Sequence, residues 1–118
     1  MSQAGVQGSC HCGAVRFTLS VAPEWVTDCN CSICRRYGVL WSYYQLAQVR
    51  FDGAPLTDTY VWGRRGLAFH RCKSCGCVTH WSSMDPTRDK IAINARLLEP
   101  AVLAAAQVDM LDGANSDD

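Results

Sequence analysis

Cys10-His11-Cys12-Gly13-Ala14-Val15 and, much later in the chain, Cys72-Lys73-Ser74-Cys75-Gly76-Cys77-Val78 are two versions of one local design. Both contain Cys-Gly-x-Val, both have a further cysteine just upstream, and both run on into alternating apolar residues. Glycine after the second cysteine permits a tight turn with positive φ, which lets backbone N–H groups face the sulfurs. Two such knuckles pair around one ion, so Cys10, Cys12, Cys72 and Cys75 are the expected ligands of a closed, structural zinc tying the first hairpin to a distant one. Four thiolates around a divalent ion leave a net charge of about minus two, which the knuckle amides are suited to stabilise.

Eight cysteines in 118 residues, without a secretion signal, make a disulfide framework the weaker explanation. Cys29, Cys31 and Cys34 form a third cluster, C-x-C-x-x-C, that lacks the glycine. Three soft ligands leave one coordination position, the feature that separates catalytic from structural zinc, and they favour a small thiol over water as the incoming group. Cys77 is the eighth cysteine, and it leaves two readings open. As a spare buried thiol near the first metal it leaves the middle trio open; as a fourth ligand it would make two closed structural sites and a non-catalytic binding module. The open site is the expectation carried forward. Arg35 and Arg36 directly follow the trio and are the candidate substrate-binding residues, able to pair with carboxylates of an anionic guest. His11, His70 and His80 are left out of both sites, the first as pointing away and the others as strand residues whose imidazoles are packed or on the surface.

Around the clusters the chain is rich in strand signals. Val15, Phe17, Leu19 and Val21 alternate with Arg16, Thr18 and Ser20, the pattern of a half-buried strand. Aromatic and β-branched residues mark further strands near 25–28, 39–46, 59–62, 67–71, 78–82 and 91–95. Short helices are expected at 31–37 and 100–107, and the acidic tail 113–118 is expected to fray. The fold class is therefore mainly β, one domain over residues 1–118 with its core at about 5–97, built of short antiparallel sheets stapled by zinc.

Composition narrows the function. With 48% hydrophobic and 19% charged residues, and 11 basic residues matching 11 acidic ones, the chain has no global field that would select nucleic acid or anionic lipid. Its aromatic residues come without a basic stripe, which argues for core or pocket lining rather than base stacking. No apolar run approaches the roughly 18 residues of a membrane span, and Met1-Ser2-Gln3 opens no basic-then-apolar leader. A cytoplasmic protein, neither secreted nor membrane-bound, is the expectation.

Gly8-Ser9-Cys10-His11-Cys12-Gly13-Ala14-Val15-Arg16-Phe17, Cys29-Asn30-Cys31-Ser32-Ile33-Cys34-Arg35-Arg36 and Cys72-Lys73-Ser74-Cys75-Gly76 together resemble the signature of one family. It is the family that joins the glutathione-dependent formaldehyde-activating enzyme and centromere protein V. The resemblance implies a β-tent fold like that of methionine sulfoxide reductase B, with Cys10, Cys12, Cys72 and Cys75 on a structural zinc and Cys29, Cys31 and Cys34 on a catalytic one. It also implies a carbon-sulfur lyase acting on a small thiol such as glutathione and a small aldehyde such as formaldehyde.

Overall fold

Phe17 and Leu19 are buried while Arg16 is exposed and Thr18 half-buried, so β2 (Arg16–Leu19) presents one apolar side. In the computed structural model, which describes residues 5–53, 55–63 and 65–113, β2 pairs antiparallel with β1 (Val6–Ser9) on one edge and β5 (Val49–Phe51) on the other. A second sheet is assembled from β3 (Trp25–Cys29), β4 (Trp41–Tyr44), β6 (Thr57–Tyr60), β7 (Leu67–Cys72), β8 (Val78–Ser83), β9 (Ile91–Asn94) and β10 (Gln107–Leu111). Its spatial order is β10-β3-β4-β9-β8-β7-β6, and every pairing in it is antiparallel except β10 with β3. Strand makes up 43% of the structure and helix 17%, so the mainly β class expected from the sequence holds.

The centre of the large sheet is buried on both faces, and its alternation separates two cores. Ile91 and Ile93 of β9 join Phe17, Leu19, Val26 and Tyr44 in a core shared by the two sheets. Ala92 points the other way, into a cluster with Trp41, Phe69, Trp81 and Ile33. Ile33 comes from α1 (Ser32–Tyr37), a short helix that starts at Cys31 and ends at Gly38, whose left-handed backbone (φ 67°) lets its N–H reach the Cys34 carbonyl at 3.0 Å.

Three strands escape a sequence reading. β1 and β5 are short strands flanking β2, and β10 follows directly on α2 (Pro100–Ala104), where the sequence pattern carried helix on to residue 107. All five β10 residues are exposed, so the strand buries no apolar face although Val108 and Met110 alternate with Gln107 and Asp109; it forms because the edge of β3 supplies a main-chain partner. β6 also lies two residues earlier than the aromatic pattern suggested. Of the tail expected to fray, residues 114–118 lie outside the described residues, whereas Gly113 is placed against the middle cysteine cluster.

Candidate metal centres

The two knuckles close in the same way. Cys10 N–H donates to the Val15 carbonyl at 3.0 Å and Cys72 N–H to the Cys77 carbonyl at 2.9 Å, each spanning five residues around a glycine of φ 83° (Gly13) or 80° (Gly76). These turns bring the sulfurs of Cys10, Cys12, Cys72 and Cys75 to within 4.8 Å of one another. Cys10–Cys12 and Cys12–Cys72 Sγ separations are 3.7 and 3.6 Å. A tetrahedron with zinc–sulfur bonds of about 2.3 Å has edges of about 3.8 Å, so the donor set fits a tetrahedral zinc. The site joins the end of β1 to the end of β7, and therefore one sheet to the other.

Backbone donors surround these sulfurs as the glycine turns foreshadowed. Val15 N–H donates to Cys10 Sγ at 3.3 Å, and Ser74 and Cys75 N–H donate to Cys72 Sγ at 3.4 and 3.5 Å. The N–H groups of Cys77 and Cys12 hold Cys75 down at about 5, which favours its thiolate form. Cys12 moves the other way, to about 11, because the neighbouring sulfurs, Cys72 first, together with burial outweigh the pull of the Ala14 N–H. Sulfurs this crowded ionise together when a cation balances them, which is the role a divalent ion would fill.

The second cluster sits where β3 runs into α1. Cys29 ends the strand, Cys31 caps the helix with its Sγ accepting from Cys34 N–H at 3.4 Å, and Cys34 lies in the first turn. The three sulfurs also lie within 4.8 Å of one another, three corners of a tetrahedral donor set. Cys34 is buried, and burial pushes its thiol well above the usual range, opposed by the Trp41 indole N–H, which donates to it at 3.3 Å. Burial likewise raises Cys29. At Cys31 burial also raises the thiol, but the Cys34 N–H and the adjoining sulfurs overcome it and the net shift is downward.

The trio forms part of the wall of a cavity of about 410 Å³. Strand register supplies much of the rest. Tyr43 of β4 and Trp81 of β8 both lie opposite Ala92, and Phe69 of β7 lies opposite Trp81, so a row of side chains crosses four strands on one face. The small Ala92 lets the flanking rings approach to 6.2 Å between centroids. Burial keeps the Tyr43 hydroxyl protonated beyond its ordinary range. Trp41 and Trp62 complete the aromatic wall, and Leu111 and Gly113 bring the C-terminal segment to the rim.

Cys77 belongs to neither group of donors; it packs against Cys10, Val15 and Cys72, beside the four-thiolate site. Arg35 and Arg36 are exposed on α1, with Arg36 Nη1 donating to the Ser32 carbonyl at 2.9 Å, and neither lines the cavity. Among the described residues, the cationic side chains lining it are Arg88 and Lys90, from the β8–β9 connection. Their place follows from strand register, and the signal that could have found them is the pair of cations entering β9 after an Asp85-Pro86-Thr87 turn. Of the histidines, His11 is exposed, His70 is half-buried and bonds Thr57 and Ser82, and His80 is buried and bonds Thr79.

Comparison with known proteins bears on the family and the fold. Residues 5–110 match the family described as glutathione-dependent formaldehyde-activating enzyme. The fold is similar to the crystal structure of a Rhodobacter sphaeroides protein, with a TM-score of 0.70 and 28% identity over 87% of this chain and 99% of that one.

Proposed function

Because the chain belongs to the glutathione-dependent formaldehyde-activating enzyme family, we propose that its three-cysteine cavity joins a small thiol such as glutathione reversibly to a small aldehyde such as formaldehyde. The reaction makes a carbon-sulfur bond and opens the carbonyl π bond, and the thiol proton ends on the new hydroxyl; in reverse it is a carbon-sulfur lyase reaction. The observation that carries this reading is that the trio faces a cavity one donor short of a tetrahedron, while Cys77, the thiol that would close it, packs at the other cluster. On this reading Cys29, Cys31 and Cys34 hold the catalytic zinc and Cys10, Cys12, Cys72 and Cys75 the structural one.

Zinc at the trio would lower the pKa of an incoming thiol and polarise the aldehyde oxygen. Acidifying a thiol of pKa about 8.5 by about two units raises its thiolate fraction some twentyfold at neutral pH. A Brønsted slope of about 0.4–0.5 takes back about tenfold of that as lost nucleophilicity. The larger contribution falls to the cavity walls, which hold thiol and aldehyde together and exclude competing water. Trp41, Phe69 and Trp81 provide that apolar enclosure, and the Tyr43 hydroxyl, kept protonated, is a hydrogen-bond donor rather than a base.

The test is the visible spectrum of cobalt-substituted protein titrated with glutathione. An open three-thiolate site changes its sulfur-to-cobalt charge-transfer bands as the fourth thiolate enters. Unchanged bands across the titration would mean a closed site and a binding module without turnover.

A further inference from the structure

Among the described residues, the cavity over the trio is lined by two cationic side chains and by no carboxylate. Both cations are set in place by the turn between β8 and β9. Asp85 Oδ1 accepts from the Thr87 N–H at 2.9 Å and hydroxyl at 2.7 Å, and Arg88 N–H donates to the Asp85 carbonyl at 3.1 Å. Asp89 Oδ1 accepts from Leu46 N–H at 2.8 Å, which pins the same turn to the segment after β4. From this frame the Arg88 guanidinium carbon lies 5.7 Å from the Trp81 ring centre and the Lys90 ammonium 4.7 Å from that of Tyr43.

Those contacts orient the charges without consuming them. A cation over an aromatic face keeps N–H donors free at its edge, whereas one locked to a carboxylate does not. The acid next to Arg88, Asp85, is held low first by the Thr87 hydroxyl, then by the Thr87 N–H, and only last by Arg88 itself. Trp81 and Tyr43 belong to the aromatic row of the cavity wall, so both cationic heads stand beside the space above the sulfurs.

The charge at the bottom of the site explains why such heads matter. Three thiolates on a divalent ion leave one negative charge, and a fourth thiolate adds another, so an anionic guest is repelled unless positive charge stands nearby. We propose that Arg88 and Lys90 make this cavity selective for anionic thiols, those whose tail carries a carboxylate, over thiols with a cationic tail. The proposal rests on the open trio described above. It assigns the carboxylate end of the guest to the β8–β9 turn and the sulfur end to Cys29, Cys31 and Cys34.

The experiment titrates cobalt-substituted protein with 3-mercaptopropionate and with 2-mercaptoethylamine, thiols of similar size and opposite tail charge, reading the sulfur-to-cobalt charge-transfer band. The deciding quantity is the ratio of the two affinities in the native chain divided by that ratio in an Arg88→Gln, Lys90→Gln double variant, because intrinsic differences between the thiols cancel. That quotient should be about tenfold, as two partly exposed charge contacts give, and should shrink with added salt. A quotient near one, with both thiols still moving the band, overturns charge selection and leaves the open site standing. If neither thiol moves the band of protein carrying cobalt at the trio, the open site falls and the selectivity with it.

Discussion

The Trp41 indole donates its N–H to Cys34 Sγ at 3.3 Å, joining the largest fully buried side chain to the most deeply set sulfur of the trio. Burial alone would favour the neutral thiol at Cys34, and the indole dipole is a fixed donor that favours the thiolate. Trp41→Phe keeps an aromatic ring in the core and removes that donor. Outer donors of this kind typically matter about 10–100-fold in metal affinity. Chelator competition should show that loss at the trio, with the four-thiolate site unchanged; equal affinities in variant and native chain would show that the bond has no such role.

The two clusters differ in what they connect. Cys10 and Cys12 follow β1 in one sheet, Cys72 ends β7 in the other, and their shared ion would tie the two sheets together beyond the core they share. Cys29, Cys31 and Cys34 lie within a single strand-to-helix junction that α1 and the aromatic core already hold. Cys75→Ser should therefore lower the melting temperature by about 10 °C or more, and Cys31→Ser by only a few degrees while one metal equivalent disappears. Calorimetry with metal analysis on both variants decides it, and equal melting points would end this division of labour.

What the sequence disclosed was what lies close together along the chain. Each knuckle carries its turn glycine and its sulfurs within a few residues, and the trio is complete within six, so local sequence was enough to sort seven of the cysteines into the two groups that the fold brings together. The features that finish the cavity depend on distant pairings. Trp41 reaches Cys34 because β4 runs beside β3, and Tyr43 meets Trp81 because both lie opposite Ala92. Arg35 and Arg36 were singled out by adjacency to the trio, yet α1 points both outward and the cavity cations arrive from the β8–β9 turn. β10 is a five-residue stretch directly after a helix-start pattern, and its hold on the fold is main-chain pairing with β3 rather than a buried apolar face.

His80 offers a test of the core away from the sulfurs. It is 3% exposed, bonded through Nδ1 to the Thr79 hydroxyl at 2.8 Å and stacked on His70 with ring centres 4.0 Å apart. Burial first, and the His70 charge second, lower it to about 3. The unfolded chain takes up this proton as pH falls below about 6.5 while the folded chain does not, so the stabilising effect is complete above that pH and is lost on acidification towards 3. At pH about 5 the loss is about 2 kcal/mol. Imidazole NMR should show the His80 ring neutral and unshifted between about pH 8 and pH 5, and a midpoint near the ordinary 6.5 would contradict its burial.

Gly113 is where the C-terminal segment meets the chemistry. Asn30 N–H donates to the Leu111 carbonyl at 3.1 Å and its amide to Asp112 Oδ1 at 3.0 Å, so the chain after β10 is fastened between Cys29 and Cys31. A Cβ on Gly113 would fall 2.5 Å from Cys29 Sγ, the rotatable end of that side chain, and 3.0 Å from Cys31 Cβ, which is fixed to the backbone. With β10 paired to β3 along five residues, the cheaper displacement is rotation of the Cys29 sulfur out of the trio. Gly113→Ala should therefore weaken metal binding at the trio about tenfold or more and alter its cobalt spectrum, with the four-thiolate site intact. Removing residues 113–118 takes the clash away and should restore the native affinity. If Gly113→Ala binds metal like the native chain, the segment yields instead of the sulfur, and its contact with Cys29 has no hold on the site.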